Sequence, residues 1–113
     1  MSKKYTEILN ATDPNKCNCV LYVRARVPQM PFGLWTIFDK KKIINDHTPR
    51  AGSVAIINVG LPWGHVALVK KVGTQHLTIQ EANFKFCKIT ERHGNTADLK
   101  IIGYFNPSYP QAT

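Results

Sequence analysis

A chain of 113 residues with 43% hydrophobic content, seven glycines and seven prolines suits one packed domain with a single core, spanning residues 1–113, and leaves no room for a second module. No run is long and apolar enough to span a bilayer, so no membrane partner is expected. Fifteen Lys and Arg against seven Asp and Glu give a formal charge of +8, which points to an anionic partner; the scattered charges lack the basic helix, zinc-finger spacing or aromatic motif of a nucleic-acid reader.

The first residues, Met1 to Glu7, are basic but run into polar Asn10-Ala11-Thr12-Asp13 where a signal peptide would turn apolar, which predicts synthesis in the cytoplasm without a standard signal. Three cysteines, two of them one residue apart, do not make a disulfide framework, and free thiols in a reducing compartment are expected. Residues 2–10 predict a short helix, with Tyr5, Ile8 and Leu9 on one side. Asp13-Pro14-Asn15 is a helix-start signal, and residues 16–27 read as a helix with Val20, Val23 and Val27 on one stripe and Cys17 and Cys19 near its beginning. Pro28 stops it. After the irregular Pro31-Phe32-Gly33, the stretch from Leu34 to Ile44 predicts another short helix carrying Lys40-Lys41-Lys42 on its wet face.

From Thr48-Pro49-Arg50-Ala51-Gly52 onward the chain changes character. Residues 53–59 and 65–72 read as strands joined by the glycine-bounded loop Gly60-Leu61-Pro62-Trp63-Gly64, and further strands are predicted over 76–83, 84–90 and 100–105. Helices first and closely spaced strands afterwards predict an α+β domain with an antiparallel sheet. There is no internal repeat or low-complexity tract.

Four residue types in this order are the parts of a cysteine hydrolase: a thiol, an imidazole, a carboxylate and a carboxamide. Cys19 near a helix N-terminus would feel the positive end of the helix dipole, which lowers a thiol pKa from about 8.5 towards neutrality. Cys17 shares that neighbourhood, while Cys87 lies in an apolar stretch that reads as core. His65 follows Gly64 at the start of a strand, so its ring can project from the sheet end. Glu81 and Asn83, two apart, would share one strand face, where a partly buried carboxylate needs a partner such as an imidazole on the next strand.

Five segments, Asn18-Cys19-Val20-Leu21-Tyr22-Val23, Pro49 to Ile56, Gly64-His65-Val66-Ala67-Leu68-Val69, Gln80-Glu81-Ala82-Asn83 and Ile102 to Pro107, resemble the CHAP domain, the cysteine- and histidine-dependent amidohydrolase/peptidase family. The likeness covers about residues 15–107. It implies a papain-like α+β fold with N-terminal helices packed on an antiparallel sheet. It also implies Cys19 rather than Cys17 as nucleophile, because the family's nucleophile is followed after two residues by an aromatic, here Tyr22. By the same likeness His65 is general base and then acid, Glu81 its orienting partner and Asn83 a support. Cys17 replaces a glycine often found two before the nucleophile, and the Asp-rich calcium loop of some members is missing, so no metal or other cofactor is expected. A zinc site from Cys17, Cys19, Cys87 and a histidine lacks the usual finger spacing.

What the resemblance implies for function is hydrolysis of an amide in peptidoglycan by a monomer of phage endolysin type. Such a protein would be made in the host cytoplasm and act at the wall after release, or act from the virion. Trp63 and Tyr22 are expected to contact substrate, with Trp35 packed inside, and the positive charge is expected to draw the protein to anionic wall polymers. Two alternatives stand beside it: a non-catalytic basic module binding nucleic acid or an anionic surface, and a papain-like hydrolase of a non-wall peptide or acyl substrate.

Overall fold

The computed structural model describes residues 5–8 and 12–109. In chain order the elements are β1 (Thr6–Glu7), α1 (Cys19–Arg26), α2 (Ile37–Lys41), β2 (Val54–Ile57), β3 (His65–Val72), β4 (Leu77–Ala82), β5 (Ile89–Gly94) and β6 (Ile101–Phe105). The six strands form one antiparallel sheet in the order β1-β5-β4-β3-β2-β6, and α1 packs on β3 and β4. This is the α+β architecture expected of a papain-like CHAP fold.

α1 begins later than the sequence predicts, and the difference matters for the thiol. Residues 14–17 form turns held by Asp13, whose carboxylate accepts from the Asn15 N–H at 2.8 Å. The helix is instead capped by Asn18, whose side chain accepts from the Leu21 N–H at 3.1 Å, so Cys19 is the first helical residue. Val27 and Pro28 end the helix. α2 is set by a full capping box, with Thr36 Oγ1 accepting from the Asp39 N–H and the Asp39 carboxylate accepting from the Thr36 N–H.

Three expectations change. Thr6–Glu7, placed in a helix by the sequence reading, are a short strand paired with β5, because two residues at an open sheet edge gain a ladder that an isolated helical turn lacks; residues 2–4, 9 and 10 of that expected helix lie outside the described residues. The strand expected over 84–90 is displaced to Ile89–Gly94, because Asn83, at φ 63, turns the chain: its carboxamide oxygen accepts from the Cys87 N–H at 2.8 Å, and its own N–H donates to the Lys88 carbonyl. Cys87 is not core, and it is not free. It is bonded to Cys17 across a sequence separation of 70, so the expectation of three free thiols is corrected and the zinc alternative loses two of its ligands.

Strand alternation builds a core on each side of the sheet. Val54, Ile56, Val66 and Leu68 face the helical layer with Tyr22, Val23, Val27 and Met30. Ala55, Ile57, Ala67 and Val69 face the other way with Leu77, Ile79, Leu99 and Tyr104. All four residues of β2 are therefore buried.

The disulfide ties the turn before α1 to the turn after β4, two segments that the sheet alone does not join. A cross-link over so long a loop stabilises by about 2–4 kcal/mol, chiefly by restricting the unfolded chain. Thiol titration of the unreduced, denatured protein is expected to find one thiol, Cys19, and three after reduction, with reduction lowering the denaturation midpoint accordingly. Three thiols without reductant would show that the bridge does not form.

Candidate active site

Cys19, as the first residue of α1, reaches the start of β3, where its thiol meets both the His65 side chain and the Val66 N–H. Gly64 makes the approach fit. It has φ +67, and a Cβ there would lie 2.6 Å from Ile37 Cδ1 and 3.3 Å from the Ile37 Cα, so α2 packs directly over the backbone that leads into His65.

His65 is 5% exposed, and its Nε2 lies 2.9 Å from Glu81 Oε1, which leaves Nδ1 for Cys19. On β4, Gln80 accepts the Tyr22 hydroxyl on the helical face, so Glu81 turns to the opposite face, where it shares the pleat with Ile79. There it faces β5. Arg92 donates from Nε to Glu81 Oε2 at 2.7 Å and from Nη2 to Oε1 at 2.9 Å, with Thr90 Oγ1 donating more weakly at 3.4 Å. Glu81 is wholly buried, yet its oxygens are all engaged; among the described residues no buried side-chain nitrogen or oxygen lacks a partner. The Phe84 ring covers this relay, with its centroid 6.1 Å from that of His65 and 3.7 Å from the Arg92 guanidinium carbon.

The charges follow from these contacts. Burial alone would push the Cys19 thiol up, but the hydrogen bond and charge of His65, the Val66 N–H and the Lys40 ammonium outweigh it and hold the thiol below the ordinary cysteine range. Burial alone would push His65 down, but its bonds to Cys19 and Glu81 and their negative charges win, and it is pushed up to about 9. Burial opposes ionised Glu81 too; Arg92 and His65 overcome it and hold the carboxyl below 4.5. Across one helix and three adjacent strands, the contacts thus favour charges of alternating sign: the thiolate of Cys19, the imidazolium of His65, the carboxylate of Glu81 and the guanidinium of Arg92.

Cys19 opens into a cavity of about 490 Å³ whose walls include Asn18, Leu21, Arg24, Phe32, Trp35, Lys40, Trp63 and Asn83. Phe32 and Trp35 are more than four-fifths exposed on its rim, and Trp63 more than half. An activated thiol at the floor of an open, aromatic-edged groove is suited to acyl transfer. A family model for the CHAP domain matches residues 10–83, well over half of the chain. The chain belongs to the CHAP family.

The matched CHAP segment contains Cys19, His65, Glu81 and Asn83 and ends before Arg92. Two crystal structures of Ly7917, one described as holding the hydrolyzing product of MDP, are similar at 27% identity and a TM-score of 0.46, over 54% of this chain and 29% of theirs. This chain thus spans under a third of that protein. No curated protein matches it.

Of the residues singled out from the sequence, Cys19, His65 and Glu81 come together, and Trp63 lies on the groove wall. Asn83 does not share a strand face with Glu81, because β4 ends at Ala82; its carboxamide closes the 83–88 turn and it borders the groove without bonding to His65. Tyr22 is corrected as a substrate contact: it is 2% exposed in the core, with its hydroxyl 2.6 Å from Gln80 Oε1. Trp35, expected inside, is 81% exposed on the rim.

Two residues of the site went unnoticed in the sequence. Arg92 is hidden by the misplaced fifth strand; with β5 at 89–94, antiparallel pairing puts it opposite Ile79, one strand over from Glu81. Lys40, read as part of a wet lysine run, is 2% exposed. The signal was present: the Thr36-Asp39 capping box fixes the helix phase and puts Lys40 three residues after Ile37, on the inward stripe.

Proposed function

We propose that this protein is a peptidoglycan hydrolase that cuts an amide bond through Cys19. The observation that carries the reading is the buried relay from the Cys19 thiol through His65 to Glu81 and Arg92, opening on an exposed groove. The Cys19 thiolate attacks the substrate carbonyl carbon, forming a C–S bond as the carbonyl π pair moves to oxygen. Backbone donors are at hand for that oxyanion: Leu21 and Tyr22 N–H groups turn to Asn18, while among the described residues no acceptor takes those of Cys19 and Val20. The His65 imidazolium gives its proton to the leaving amine as the C–N bond breaks. The neutral imidazole then takes a proton from water, whose oxygen attacks the thioester carbon; the C–S bond breaks, the carboxylic acid leaves, and the thiolate and imidazolium are restored.

The substrate class rests on the family and is supported by two features. The formal charge of +8 favours association with an anionic wall, and the exposed Phe32, Trp35 and Trp63 offer flat apolar surfaces beside the thiol. The setting that follows is bacterial wall opening, in phage-mediated lysis or from a virion.

Mass spectrometry of purified walls digested by the protein tests the reading. New free amino and carboxyl termini within the stem or crossbridge, or stem peptides freed from the sugar, support it and identify the protein as endopeptidase or amidase. Undigested walls together with turnover of a non-wall peptide or acyl ester would replace it with a different papain-like hydrolase.

A further inference from the structure

Lys40 is the one buried lysine among the described residues, and its surroundings are unusual for a cation. Its Nζ donates to the Leu34 carbonyl at 2.8 Å and to the Trp63 carbonyl at 2.7 Å. Leu34 belongs to the segment before α2 and Trp63 to the turn before β3, so the ammonium joins two walls of the groove. An ammonium has three donors, and these carbonyls use two. No carboxylate lies within ion-pair distance of it among the described residues. Asp39, its neighbour on α2, is half-buried and spends its carboxylate on the Trp35 and Thr36 N–H groups. A buried charge without an opposite charge is costly.

The anion that would offset it is the Cys19 thiolate, which borders the same cavity and interacts with Lys40 through charge. The groups facing that sulfur are then His65 from β3, the Val66 N–H and Lys40 from α2, with Glu81 and Arg92 one and two strands behind His65 and Arg24 on the groove wall. We propose that Lys40 is a positioning residue for the nucleophile: it is the second counter-cation of the Cys19 thiolate, held in register by one carbonyl from each groove wall. This deepens the cysteine-hydrolase reading above by naming a charge that the His65–Glu81 relay does not supply. Burial makes Lys40 easier to deprotonate than a free lysine, and the nearby Cys19 and Asp39 charges reduce that effect without reversing it.

The test reads the thiolate directly and needs no wall substrate, so its failure is distinct from a failure of the peptidoglycan assignment. The rate of Cys19 alkylation by iodoacetamide is measured against pH with the Cys17–Cys87 bridge intact. Lys40→Met is expected to raise the midpoint of the alkylation–pH profile by about one unit, which is a tenfold slowing at pH values below both midpoints, and Lys40→Arg to restore most of it. A folded Lys40→Met variant with the wild-type profile overturns the proposal. Should that variant not fold, the wild-type protein still decides. The Lys40 Cε resonance is titrated before and after Cys19 is capped with a neutral carboxamidomethyl group. Because coupling between two sites is reciprocal, the Lys40 midpoint must fall on capping, and an unmoved midpoint equally overturns the proposal.

Discussion

Cys19→Ala is expected to lower wall hydrolysis by at least about 10⁴-fold while leaving the protein folded and bound to walls. The expectation follows from position. Cys19 is the free thiol of the chain, it stands at the first position of α1, and His65, Lys40 and the Val66 N–H all favour its ionised form. Alanine removes the sulfur without disturbing the Asn18 cap or the packing of Tyr22 and Val23 behind it. Zymography of both proteins on purified walls, with binding followed by sedimentation, makes the comparison. Equal clearing by the two would exclude the thiol as nucleophile, and salt-sensitive retention on DNA without clearing by either would favour a basic binding module.

Glu81→Gln is expected to act on both stability and rate. The amide keeps the shape but removes the charge that faces Arg92 and His65, leaving a guanidinium buried without its carboxylate; breaking such a pair typically costs about 3–5 kcal/mol. Chemical denaturation should show this as a lower midpoint. The rate should fall on the order of 10²- to 10⁴-fold, since an amide no longer fixes the imidazole by charge and tautomer. The pH dependence separates the two effects. In the proposed mechanism the proton that His65 would give to the leaving amine is lost as pH rises through about 9, and activity is expected to fall there. Without the Glu81 charge that limb should move down, towards the ordinary histidine value of 6.5. The stability linkage has the matching signs. The raised His65 contributes fully below 6.5 and loses its contribution as pH rises through about 9, whereas the lowered Glu81 contributes fully above 4.5 and loses its contribution as pH falls through its folded-state value. A variant as stable as wild type, with an unmoved alkaline limb, would remove Glu81 from the relay.

The sheet was legible because it depends on local pattern, and the central relay because its segments resemble a CHAP domain. The glycine-bounded loop Gly60–Gly64 predicted the β2–β3 hairpin, and two-residue alternation put buried residues at 54–57 and 65–69. The sites that escaped depend on one long-range fact or one polar turn. Asn83 adopts a positive φ and bends the chain, a choice that the apolar run Phe84 to Cys87 disguises as a strand. That single turn moved β5, hid Arg92 and brought Cys87 to Cys17. Lys40 was hidden by composition, since three successive lysines look alike in sequence and only the helix phase separates the inward one from its neighbours.

The sheet order has a further consequence for how the site fluctuates. His65 and Glu81 hang from β3 and β4, which have strands on both sides, and Arg92 hangs from β5, whose outer side β1 pairs only at Thr90 and Glu91, so the relay lies inside the sheet except at its Arg92 end. With partner strands on both sides, the amides of β3 and β4 are expected to exchange slowly, and His65 and Glu81 share the protection of the central sheet. The groove walls at 31–36 and 60–64 are loops outside the sheet, joined to each other through Lys40. The candidate proton path and the groove rim thus stand on different supports: strand pairing beneath, and one buried ammonium above.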